Sequence, residues 1–192
     1  MNKALLTAAM TGVLALSACK ESSTSISNNQ TQGQTDEAMV ENLGTANMTD
    51  TEASAMNRAY VENAAASDMF EMESSRLALQ RATLPAVKTY AERMIEEHGK
   101  SSEELKAAAL AAGIPLPPAL PADKQAKLAA LGRLNGEAFD RQYIADQRSG
   151  HQETLTKVNQ YLAGAPAGPL RDHASKLTGV VQNHLTVLEK IK

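Results

Sequence analysis

Four long stretches carry apolar residues at helical spacing, and each interrupts its apolar stripe with polar groups. In the first, from Thr49 to about Ala82, the stripe is Val61, Ala64, Ala65, Met72, Leu79 and Ala82, with Asp68 and Ser75 on it and Glu71 at its margin. The second, Pro85 to about Ala112, turns Val87, Ala91, Met94, Ile95, Leu105 and Ala109 inward around a central His98. The third, Asn135 to Gly164, is the most polar, placing Asp140, Gln147, His151 and Thr154 among Tyr143, Ile144, Leu155, Val158 and Leu162. The fourth, Leu170 to Lys192, aligns His173 and His184 with Leu177, Val180, Val181, Val187, Leu188 and Ile191. Punctuation agrees with these limits. Thr49 and Glu52 have capping-box spacing, Thr83 can cap the second helix ahead of Pro85, and Gly113 followed by Pro115, Pro117, Pro118 and Pro121 stops it. Ala122 to Leu131 reads as a helical lead-in to the third stretch, bent at Gly132 or Gly136. No strand pattern competes. The expected fold is all-α: an antiparallel bundle of four helices with short connections, over residues 49–192.

Residues 1–48 read differently. Asn2 and Lys3 precede an apolar run from Ala4 to Leu16, too short for a permanent membrane span, so 1–18 is expected to be an export leader. It ends Leu16-Ser17-Ala18-Cys19, which resembles the lipobox of bacterial lipoproteins and implies acylation of Cys19. Lys20 stands where an aspartate would resemble an inner-membrane retention signal. The expected location is therefore the cell envelope, lipid-anchored in the outer membrane and facing the periplasm, with the membrane as a partner through that anchor. Residues 19–48 are Ser, Thr, Asn, Gln and Gly with scattered acids, too polar to offset the entropy of ordering, and are expected to be a disordered tether.

Composition narrows the chemistry. Cys19 is the only cysteine, which excludes a disulfide framework or a thiolate metal cluster. A net charge of −3 disfavours nucleic acid as a partner. Aromatics are only 3% of the chain against 43% hydrophobic, so the core must be built largely from Ala, Leu, Val and Met. All four histidines, His98, His151, His173 and His184, fall on inward faces, and Asp68, Glu71 and Asp140 accompany them. Helical bundles assemble metal sites from such side chains, and imidazole with carboxylate suits iron, manganese, zinc or copper. The bland alternative is a hydrogen-bonded polar network that sets helix register. The run Glu96-Glu97 and Glu103-Glu104 reads as the solvated face of the second helix, and Met69, Met72 and Met94 as packing residues.

Phe70-Glu71-Met72-Glu73 with Arg76-Leu77-Ala78, Ala91-Glu92-Arg93-Met94 with Glu97-His98, Phe139-Asp140 with Tyr143 and His151, and Asn183-His184-Leu185 together resemble the family called domain of unknown function 4142. That resemblance covers about Ala55 to Ile191 and implies a ferritin-like helical domain of exported bacterial proteins, without an established reaction. It highlights Glu71, His98, Asp140, His151 and His184 as metal-ligand candidates. The Glu-x-x-His pairs of ferritin-type enzymes are missing, since Ile95 and Val181 stand three residues before His98 and His184. The leading expectation is an exported lipoprotein whose bundle binds a transition metal; the alternative is a non-catalytic envelope interaction or stress-related module with a metal-free polar core. No nucleophile motif, phosphate loop or nucleotide fingerprint favours an enzyme.

Overall fold

The computed structural model describes residues 49–191. The expected leader (1–18), Cys19 and the tether (19–48) lie outside the described residues. Helix α1 (Asp50–Arg81) starts on the expected capping box: the Thr49 hydroxyl accepts from the Glu52 amide at 3.3 Å, and the Thr49 amide donates to the Glu52 carboxylate at 2.9 Å. Helix α2 (Pro85–Ala111) has proline in its first turn. It ends in a Schellman motif, with Gly113 at φ +67° and the amides of Gly113 and Ile114 closing on the carbonyls of Leu110 and Ala109. After the prolines come α3 (Ala122–Leu131), α4 (Gly136–Gly164) and α5 (Pro169–Leu188). The lead-in is a separate helix, because Gly132 caps it and the chain turns again before α4. The described residues form an all-α structure with no strands, and none of its helices is long and apolar enough to cross a membrane.

Helix α1 packs on α2 and α4, and α5 packs on the same two, so α1 and α5 are diagonal. Neighbours are antiparallel. Along α1–α4 the Ser75–Tyr143 contact lies near one end and Asn57–Tyr161 near the other, and α5 descends past α2 from Glu97–His184 to Ser101–His173. Two antiparallel hairpins thus face each other, and α2 cannot reach α4 by a tight turn. The connection from Ala112 to Asn135 instead climbs the outside of the bundle, with α3 lying over α1 and α4. Lys127 of α3 pairs with Asp146 at 3.2 Å, and Lys124 and Lys127 sit over the Phe70 ring. This crossover departs from the short connections expected, and it is the connection that separates ferritin-like bundles from up-down-up-down ones.

The core is not continuous. One apolar cluster, including Val61, Leu105, Val158, Leu170 and Val181, fills the end where α1 and α5 begin. A second, including Ala78, Val87, Met94, Phe139 and Leu188, fills the opposite end. Between them all four long helices contribute buried polar side chains: Asp68, Glu71 and Ser74 from α1, His98 from α2, Gln147 and His151 from α4, and His184 from α5.

Candidate metal centre

Each imidazole of that layer has one nitrogen tied outward to an acceptor. His98 Nδ1 lies 2.8 Å from Asp68 Oδ1, whose other oxygen accepts from Ser102 Oγ at 3.3 Å. His151 Nδ1 lies 2.7 Å from the Gln147 carbonyl oxygen. His184 Nε2 lies 2.7 Å from Glu97 Oε2. Carbonyls and carboxylates only accept, so these three nitrogens carry the protons, a tautomer assignment inferred from the partners. The second nitrogens of the other two rings, His151 Nε2 and His184 Nδ1, then present lone pairs to one another, and His98 Nε2 presents one whenever that ring is neutral.

The three rings converge. One ring nitrogen from each histidine lies within 4.8 Å of one from each of the others, and the rings stand 5.0 to 5.7 Å apart by centroid. His151 Nε2 and His184 Nδ1 are 2.9 Å apart, a hydrogen-bond distance between two atoms that, with these tautomers, have no hydrogen to share. His98 Nε2 is buried without a partner. Burial holds His151 neutral, lowering its pKa to about 3 with help from the charge of His98, and burial likewise lowers His184 to about 4. For His98 burial also opposes charge, but the hydrogen bond and charge of Asp68 outweigh it and raise the pKa above the ordinary value. Facing lone pairs in a dry core repel unless a proton or a cation joins them. Nitrogen ligands of zinc lie about 2.0–2.1 Å from the ion, which sets tetrahedral donors roughly 3.4 Å apart. The closest pair, at 2.9 Å, lies about 0.5 Å inside that spacing.

Three acids surround the imidazoles. Asp68 is buried against His98. Glu97 bridges His184 and Arg93, whose Nε donates to Glu97 Oε1 at 2.7 Å; burial works against the Glu97 charge, but those two partners hold its pKa below the usual carboxylate range. Glu71 is fully enclosed, and burial pushes its pKa up to about 7. Its Oε1 stands 3.9 Å from His151 Nδ1, beyond hydrogen bonding, and its Oε2 has no partner. Gly150 makes room for this carboxyl between α1 and α4: a Cβ there would lie 2.9 Å from Glu71 Oε1.

Of the residues singled out from the sequence, His98, His151 and His184 come together and Glu71 stands beside them on the outer side of His151. Asp140 sits elsewhere. Its carboxylate accepts from the amides of Thr83 and Leu84, each at 3.1 Å, and from the Thr83 hydroxyl, closing the α1–α2 junction from α4. The expected Thr83 side-chain cap of α2 is absent, and Asp140 takes over that task. His173 also lies outside the triad: its Nε2 faces the Ser101 carbonyl at 3.2 Å, and its Nδ1 lies 2.6 Å from the Tyr60 hydroxyl. Glu97 corrects the expectation of a merely solvated face. It is one residue from His98 and on the margin of the stripe, so periodicity alone placed it outside; its i,i+4 pairing with Arg93 was the visible signal that its carboxylate is held in place.

An all-α bundle with a buried imidazole–carboxylate layer defines the class of protein. More particularly, the chain belongs to the family described as Domain of unknown function (DUF4142), whose model matches residues 42–191. Neither the curated proteins nor the solved structures compared with it gave a match.

Proposed function

We propose that this chain is a metal-binding protein that holds one divalent transition-metal ion through His98 Nε2, His151 Nε2 and His184 Nδ1. The observation that carries the reading is the 2.9 Å approach of His151 Nε2 to His184 Nδ1, with both other ring nitrogens already committed to acceptors. A polar network without an ion accounts for the His98–Asp68 pair, and for that approach only through a shared proton, which burial of His151 and His184 opposes. Asp68 and Glu97 orient two of the ligands as carboxylate–histidine pairs do at metal sites, and both place negative charge beside a dication, that of Glu97 shared with Arg93. Three imidazoles with no carboxylate among them favour zinc or copper over manganese, which prefers oxygen; iron stands between. The triad would hold the ion and leave it able to supply Lewis-acid chemistry to any small ligand that entered the closed core. The leader-like sequence of residues 1–18, the lipobox-like stretch ending at Cys19 and the polar composition of residues 20–48 support placing this bundle outside the cytoplasm on a lipid anchor, at the outer membrane facing the periplasm. Without an identified reaction, binding or storage of the ion is the function proposed.

Elemental analysis of full-length protein, isolated from its native compartment without chelating resin, is expected to find one zinc or copper per chain. A protein that is isolated metal-free and takes up no added zinc, copper or cobalt overturns the reading. The outer partners give a graded test. Asp68→Asn and Glu97→Gln are each expected to weaken affinity by roughly 10–100-fold at unchanged stoichiometry, the usual effect of losing such a partner. Competition titration against a chelator measures this, and wild-type affinity in both variants would disconnect the carboxylates from the centre.

A further inference from the structure

The triad is sealed: His98, His151 and His184 are 3%, 2% and 0% exposed. An ion has to pass protein atoms to reach it, and the three outer partners differ in their access to solvent. Asp68 and Gln147 are buried, whereas the Glu97 side chain is 30% exposed. Glu97 forms part of the wall of a cleft of about 340 Å³ between α2 and α5, shared with Lys100, Ser101, His173, Leu177 and Val180. Only the His184 ring separates that carboxylate from the point where the three lone pairs meet.

We propose that the α2–α5 cleft is the route by which a divalent cation enters and leaves the centre, with Glu97 receiving the ion and His184 passing it inward. This rests on the metal-binding reading. The cleft wall suits a cation despite its lysines, because Lys100 is paired with Glu96 at 2.5 Å and Lys176 with Glu104 at 3.2 Å. The alternative opening, a groove between α1 and α3 lined by Leu77, Leu128 and Ala129, is mainly apolar and includes none of the groups that touch the triad. Passage requires the His184 ring to leave Glu97, turn its nitrogens past the ion and return. A ring turn of this kind moves one side chain without unpacking a helix.

A route has a kinetic signature that a binding site lacks. Narrowing it raises the barrier equally in both directions and leaves the end states alone. Val180 is exposed on the α5 wall, and Lys100, with its side chain 68% exposed, is on the α2 wall; neither is among the groups hydrogen-bonded to the triad. Val180→Trp and Lys100→Trp are each expected to slow cobalt uptake by the metal-free full-length chain about tenfold or more. Release to excess chelator should slow by the same factor, with equilibrium affinity held within about twofold. Ala129→Trp, in the α1–α3 groove, should leave both rates at wild-type values. Stopped-flow absorption of the cobalt ligand-field band reads uptake and release. Wild-type rates in both cleft variants, or slowing confined to Ala129→Trp, would overturn the route while leaving the metal centre standing. Failure of the wild-type chain to bind cobalt would remove the centre and the route together.

Discussion

Replacing His98 and His151 together by alanine is expected to abolish stoichiometric metal uptake while the bundle stays helical. Structural zinc sites are worth about 10–16 kcal/mol over four ligands, roughly 3 kcal/mol each, so losing two ligands should weaken binding by about 10⁴-fold. The loss should also appear as stability. An ion present at 100 times its dissociation constant adds about 2.7 kcal/mol to the folded state. For a domain of this size that is a rise in melting temperature of roughly 10 °C. Wild-type protein should show this rise with zinc, and the double variant should show none.

A single substitution separates the ion-binding reading from a structural polar core. His151→Leu keeps the bulk of the ring's volume and removes two nitrogens whose burial already holds the ring neutral. If the imidazole exists to hold an ion, the metal-free variant should melt within about 1 kcal/mol of metal-free wild type, or above it, since an apolar side chain needs no partners there. If it exists to knit the core, the same change should lower the melting temperature and alter no ligand binding. Circular dichroism with and without zinc reads both outcomes in one experiment.

Most of the helical architecture was legible along the chain because its signals are local. Thr49 with Glu52, Pro85, and Gly113 before a run of prolines act within one or two turns, and helix limits followed to within a few residues, except that α5 stops at Leu188. The crossover was less legible, since neighbour choice between hairpins is a property of the assembled bundle. For the site, periodicity reports which face a side chain occupies but not its height. Asp140 and His151 share a face of α4, as His173 and His184 share a face of α5. In each case the two are 11 residues apart, about 16 Å along the axis. That separation puts Asp140 at the end of the bundle and His173 beside Tyr60 in one apolar cluster. Glu97 was missed for the complementary reason: at the right height, it lies at the edge of the stripe, where a slight helix rotation decides between solvent and His184.

Asp140→Ala is accordingly expected to damage the fold and spare the metal centre. The carboxylate is buried and accepts from two backbone amides and one hydroxyl at the α1–α2 junction. The chain there is extended before Pro85 and has no helical partner for those amides. Alanine leaves them without an acceptor in a partly buried turn. Losing a helix cap costs about 0.5–2 kcal/mol, and a stranded buried donor adds about 1–3 kcal/mol, so a loss of roughly 1.5–5 kcal/mol follows. The melting temperature should then fall by roughly 5–17 °C. Asp140→Asn retains one acceptor oxygen and should recover about half of that loss. Both variants, assayed below their melting temperatures, should bind zinc with affinity within a few-fold of wild type, because their defect lies about three helical turns from His151. The opposite pattern, near-native stability with metal binding lost, would return Asp140 to the ligand set and require the end of α4 to rearrange when the ion binds.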